Sequence, residues 1–305
     1  MWEIIQSNFE VLGAMPVLNI QLLLDGLFIG AIFALAAYGL ALVWGVMNVK
    51  NLAQGDFVIM GGYIAWWMSS EWGLHPILGL PVAIVLMFIF GWIIYRFIIS
   101  RVVGRDLFTS LLATFGLAIV LQQLINQMFG PEVQTAESGF KTRFFFDGMV
   151  TVADIKLIAF CLTAVLAGMV VTFMKFSRMG QAIRATAQDA RAAKVMGIDT
   201  ERVYAFTYAL NAAICGAAGV LISMIWIIQP FFGLAHSIRA FVIVTAAGLG
   251  NLPGVIVTGL GLGAVEQFGG FILGAEFQQA LVVGMLVIVL VIREIQQSRQ
   301  RQAVV

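Results

Sequence analysis

The chain has 305 residues, 61% of them hydrophobic and only 11% charged, with a formal net charge of +1 and a mean hydropathy of +0.98. A soluble domain carries roughly 25% charged residues, so this chain lacks the charge to cover a water-facing surface, and lipid must solvate much of its exterior. The near-neutral balance gives no nucleic-acid signal, and Cys161 and Cys215, both inside apolar runs, exclude a disulfide framework or a cysteine metal site.

In chain order, Glu3, Gln6, Asn8 and Glu10 form a short polar leader with the character of an interfacial helix. No basic region precedes it, so it does not read as a cleavable signal. A first span is expected from about Ile20 to Val46, and a short second one from Asp56 to Trp72. A third covers Ile77 to Ile99 and a fourth Leu107 to Phe129, followed by a polar stretch from Gly130 to Thr151. A fifth span, Val152 to Met174, precedes a long charged segment, Lys175 to Arg202. A sixth runs from Val203 to Ile228. The apolar region from Ile238 to Phe271 is interrupted at Asn251-Leu252-Pro253-Gly254, where proline ends a helix and glycine allows a turn. The last span is Phe277 to Ile292. These runs are apolar all round and too long for barrel strands. The expectation is therefore an all-α, polytopic helical membrane bundle of about eight to nine membrane segments, some short or broken, making one domain over residues 1–305.

Basic residues near span ends set orientation. Lys50, the group Arg96, Arg101 and Arg105, the run from Lys175 to Arg202, and Arg293, Arg299 and Arg301 all fall on one side if the N-terminus is outside. The opposite loops hold Glu71 and His75, then Glu132, Glu137, Lys141, Arg143 and Asp147. The C-terminus is then cytoplasmic if Ile238 to Phe271 crosses twice or re-enters. The segments starting at Asn51 and at Gly233 enter their spans from opposite sides, a hint of an inverted repeat.

The segment Gly180 to Gly197 is alanine-rich and reads as one cytoplasmic helix bounded by its glycines. Ile183, Ala187, Ala190, Ala193 and Met196 share a small apolar face, while Arg184, Gln188, Asp189, Arg191 and Lys194 lie elsewhere. Two readings stand: a helix lying on anionic headgroups, or one filling a partner's groove. Few residues there are bulky enough for deep lipid insertion, which favours docking.

That segment, with its pattern Gly180, Ile183-Arg184-Ala185, Ala187-Gln188-Asp189, Ala192-Ala193 and Met196-Gly197-Ile198, resembles the cytoplasmic loop of the branched-chain amino acid ABC permeases. The block Tyr38 to Tyr63, containing Asn51-Leu52-Ala53-Gln54-Gly55-Asp56, and the block Ala240 to Gly254 with Gly259, Gly261 and Gly263 resemble two more of that family's regions. The resemblance extends from about Leu23 to Ile292. It implies a permease subunit paired with a second permease, a different paralogue. It also implies two cytoplasmic ATP-binding subunits on the loops and an extracytoplasmic solute-binding protein. The solute implied is a branched-chain or other amino acid, urea or a small amide. The chain departs from the pattern at Gln54, where histidine is expected, and at Asn251, where serine is frequent. A bacterial cytoplasmic membrane, no cofactor and no metal are expected. The chain has no G-x-x-x-x-G-K-[ST] phosphate loop, so ATP hydrolysis would fall to another subunit.

Ionisable and amide side chains inside spans are functional candidates by default. Asp56, with Asn51 and Gln54 beside it, is either a polar lining at the inner mouth of the pathway or a carboxylate satisfying the start of its helix. Gln122 and Asn126, with Gln123, and likewise Asn211, either line the path or bond between helices. Glu266 divides evenly between pathway and packing. His236, Ser237 and Arg239 are expected outside, either in the contact zone for a binding protein or, the favoured reading, in a solvated loop. An intramembrane enzyme fits poorly: both histidines, His75 and His236, fall in predicted loops, and one aspartate near the core makes no dyad. A self-sufficient secondary transporter or channel is the remaining alternative, since broken helices suit it; the docking segment counts against it.

Overall fold

The computed structural model describes the backbone of residues 2–145, 150–248 and 250–302. Asp147 and the side chains of Glu3, Arg299 and Arg301 lie outside the described residues. The elements in order are α1 (Trp2–Ala14), α2 (Pro16–Met47), α3 (Gln54–Trp72), α4 (Gly79–Phe97) and α5 (Leu107–Phe129). A hairpin of β1 (Thr142–Phe145) and β2 (Val150–Ala153) leads to α6 (Asp154–Phe176), α7 (Arg178–Gln188) and α8 (Ala190–Val195). The chain ends with α9 (Thr200–Ile225), α10 (Gly233–Ala247), α11 (Leu252–Leu273) and α12 (Gln278–Gln302). Among the described residues, 8 helical stretches are long and apolar enough to cross a membrane. The short α3 is not among them, because Gln54, Asp56, Ser69, Ser70 and Glu71 dilute its apolar content.

The span positions follow the apolar runs closely, and the boundaries are set by capping. Asp106 opens α5 by accepting from Thr109 N at 3.0 Å. Asn251 opens α11 by accepting from Gly254 N at 3.1 Å, with Pro253 in the first turn where its missing N–H costs nothing. Asn48 closes α2 at φ 53°, a left-handed conformation that asparagine tolerates. The β-hairpin, paired from Thr142 with Ala153, is an element that the polar stretch 130–151 did not announce.

The centre of the bundle is the antiparallel pair α2 and α9, buried nearly throughout, while α6 and α12 stay peripheral. Small residues let the main helices touch backbone to backbone. A methyl group on Gly26 would lie 2.5 Å from Ala264 Cα, and one on Gly30 3.0 Å from Leu260 Cα, so α2 lies directly on α11. A methyl group on Gly91 would lie 3.0 Å from Ala209 Cα, so α4 lies directly on α9. These two tight pairs exchange if α2 is matched with α9 and α4 with α11. The same exchange matches α3 with α10, and those two helices meet each other. The molecule therefore carries the contact pattern of an inverted repeat, α2–α5 against α9–α12, with α6 as the extra crossing that reverses direction.

One consequence corrects the expected entry of the second span. Gln54, the first residue of α3, bonds to the carbonyl of Ala36, near the middle of the 32-residue α2. The chain thus leaves α2, turns back at Asn48–Ala53, and starts α3 at mid-depth rather than at a mouth. Likewise α10 begins at Gly233, five residues before the apolar run at Ile238, after Gln229–Phe232 has folded inward from the end of α9.

Candidate functional site

Two helix N-termini meet at mid-depth, and glycine makes the meeting possible. A methyl group on Gly55 would lie 2.7 Å from Ser237 N and overlap the Gly233 carbonyl. One on Gly233 would lie 2.6 Å from Asp56 Cγ. Ser237 ties the two starts together: its hydroxyl accepts from Gly55 N at 2.8 Å and donates to Leu52 O at 2.7 Å. On the other side, Thr114 of α5 accepts from Leu52 N at 3.1 Å, fixing the turn that re-enters.

Around this junction lies a buried amide network. Gln54 Nε2 donates to Ala36 O and to Asn211 Oδ1, each at 2.9 Å, with Cys215 Sγ beside it. Asn51 accepts from Ala53 N at 3.1 Å and its amide reaches Gln54 Oε1 at 3.4 Å. Asn51, Gln54, Asp56 and Asn211 are all fully buried. Asp56 accepts from Gln122 Nε2 of α5 at 3.0 Å and rests against Gly233, so its carboxylate sits where the positive ends of α3 and α10 converge. Asn126 lies one turn beyond Gln122 on α5, partly buried. The structure thus brings Asn51, Gln54, Asp56 and Gln122 into one cluster, with Asn126 at its margin.

Glu266 is elsewhere. It lies on α11 and binds Arg239 of α10 at 2.9 Å, with side chains 4% and 12% exposed. Arg239 also lies over the rings of Phe33 and Trp226, at 5.1 and 5.7 Å. The expected external loop of His236, Ser237 and Arg239 is therefore incorrect: all three are on α10, and His236 and Ser237 are buried. Three polar residues within four positions read as loop, yet here the packing of α2, α3 and α11 covers them. A second ion pair, Asp25 of α2 with Lys156 of α6 at 2.7 Å, was not anticipated. Its signal was two opposite charges, each a few residues inside the same-side ends of two spans.

The segment Gly180–Gly197 differs from the single helix expected. Asp189 has extended backbone, φ −154° and ψ 104°, and divides the segment into α7 and α8. Its carboxylate accepts from Arg191 N at 2.8 Å and Ala192 N at 3.0 Å, capping α8. These backbone bonds, with Arg191 nearby, hold its carboxyl below the usual carboxylate range. An aspartate in an alanine-rich run competes for the backbone and wins here as an N-cap.

The shared face is broken accordingly. Ile183 and Ala193 pack inward, while Ala187, Gln188 and Arg184 line a cavity of about 510 Å³ with Trp44 and Asn48 of α2's end. Gly180 forms the tight corner against α6, where a methyl group would lie 2.6 Å from Phe173 O. Gly197 ends α8 at φ 86°, with Ile198 N donating to Ala193 O at 3.0 Å, a left-handed cap that favours glycine. Between them Val195 and Met196 stand 86% and 82% exposed.

Residues 22–290 match the family model described as branched-chain amino acid transport system, permease component. The high-affinity branched-chain amino acid transport system permease protein LivH of Escherichia coli (strain K12) is 28% identical over 288 residues, covering 90% of this chain and 93% of the relative. The permease protein BraD of Pseudomonas aeruginosa is 27% identical, covering 90% of this chain and 94% of the relative. A probable LivH of Methanocaldococcus jannaschii is 28% identical over 89% and 88% of the two chains. No solved structure matches.

Proposed function

Because this chain belongs to the branched-chain amino acid transport permease family, we propose that it forms half of the translocation pathway of an ABC importer for branched-chain or other amino acids, or related small amides. As a multi-pass membrane component of a transport system, it works with other chains. In this reading these are a second, different permease, two cytoplasmic ATP-binding subunits and an extracytoplasmic solute-binding protein, in a bacterial cytoplasmic membrane.

The observation that carries the reading is the helix pair α7–α8. It stands outside the bundle at the end rich in lysine and arginine, which the positive-inside rule assigns to the cytoplasm along with the C-terminus. Val195 and Met196 are apolar and exposed there, on a short helix whose orientation is fixed by the caps at Asp189 and Gly197. This suits a knob seated in a motor subunit's groove. ATP-driven closure of two such motors would move α7 and α8, and through the Gly180 corner re-tilt α6. Exposed amides Gln123 and Gln127 on α5 would be costly against lipid. They support a path running along α5, from Gln122 and Asn126, at the seam with the second permease.

Co-purification tests this. A tagged chain should bring down its ATP-binding subunits, and Arg184→Glu or Asp189→Lys should reduce their retention several-fold without loss of the folded chain. Full ATP-independent uptake by this chain alone in liposomes would overturn the reading in favour of a self-sufficient transporter.

A further inference from the structure

At the end of the bundle where α9 stops and α12 begins, a cavity of about 280 Å³ is lined by Trp226, Ile227, Phe232, His236, Arg239 and Gln278, among others. Its volume is just below the ~300–1,000 Å³ common for small-molecule sites. Its walls are aromatic and aliphatic, and Arg239 is the cation among its lining residues. The guanidinium is held from three directions: Nε by Glu266 Oε1 at 2.9 Å, and its plane by the rings of Phe33 and Trp226. Among the described residues, no hydrogen bond engages the Nη groups. An arginine fixed through Nε presents the rest of its planar fork in one orientation, the geometry that takes a carboxylate in two parallel bonds. A lysine ammonium in the same place would offer a point charge without that match.

We propose that this cavity is a transit subsite in which Arg239 receives the carboxylate of an entering amino acid while Trp226, Ile227 and Phe232 accept its apolar side chain. Glu266 is the positioning residue: it aligns the fork and tempers its charge, so that the solute is held loosely enough to move on. The cavity opens at the end opposite the basic one, where solute arrives. The proposal rests on the amino acid importer reading and adds to it the atoms that recognise the solute.

The experiment uses the complete transporter in proteoliposomes, loaded with ATP and supplied with its binding protein. Uptake of radiolabelled leucine is measured with the binding protein, and leucine and leucinamide, which lacks the carboxylate, are then compared under identical conditions, each at high concentration without the binding protein. Wild type should import leucine and strongly prefer it to leucinamide. Arg239→Lys should raise the leucine KM about tenfold, and Arg239→Gln should abolish the preference. Because Arg239→Gln leaves Glu266 buried without its partner, the double variant R239Q/E266Q is included; it removes both charges and should also lose the preference. Unchanged KM and preference in R239K and in the double variant would overturn the subsite while leaving the importer reading intact. Failure of wild type to import any amino acid, with ATPase activity present, would instead overturn the importer reading itself and the subsite with it.

Discussion

At mid-depth a single glutamine holds three helices. Gln54 of α3 donates to α2 and to α9, and no other side chain in the cluster reaches both. Replacing it by leucine leaves buried Asn211 Oδ1 with only the weak Cys215 thiol donor at 3.6 Å, at a cost of about 1–3 kcal/mol, so thermal unfolding of the purified chain should shift down. Histidine keeps one donor, and Gln54→His should fall between leucine and wild type. Glycine at this junction is equally exacting. Gly233→Ala would press a methyl group 2.6 Å from Asp56 Cγ, so the yield of monodisperse protein should collapse, whereas Gly284→Ala, which meets nothing within 4 Å, should leave it unchanged. The sequence made Gln54, Asn51 and Asp56 candidates because amides and carboxylates inside spans are rare. It could not show that Gln54 reaches Asn211, 157 residues away. Nor could it place Arg239 beside Glu266, since hydropathy scores a residue without its neighbours.

Elements were legible where composition alone decides them. The span Leu107 to Phe129 and the stop at Asn251–Gly254 stood out as apolar run and as capping signal. The starts of α3 and α10 did not, because a re-entrant helix begins where packing covers it, whatever its hydropathy. The division of the segment Gly180–Gly197 at Asp189 was likewise hidden under a continuous helical pattern. If Asp189 acts as a cap, Asp189→Asn should retain ATP-binding subunits and Asp189→Ala should lose them, because asparagine caps as well as aspartate. If its charge is what matters, both fail alike. The lowered pKa of Asp189 means that ionisation stabilises the folded loop fully above the unfolded carboxyl value, and that this is lost as pH falls through the lower folded value. Where that charge contributes beyond the cap, subunit retention should be flat from neutral pH down to mildly acidic pH and decline only in strong acid, as a pull-down across pH would report.

At the scale of the whole molecule, the exchange of α2–α11 with α9–α4 builds a dense centre, and the outward face of α4 together with α5, α6 and α12 carries most of the exposed large apolar side chains. One link between centre and periphery is the pair Asp25–Lys156. Asp25→Ala should loosen α6 and speed its proteolysis at the β-hairpin, and the swap D25K/K156D should restore resistance. The backbone contact of Gly55 with the start of α10 has a mechanical meaning. Two short rods abutting head to head, tied by the Ser237 hydroxyl and with the Asp56 carboxylate against Gly233, cannot slide past each other without clashing. They make a fulcrum, so the gating stroke must swing the outer helices about a stationary axle, and a covalent staple across that joint should leave transport running.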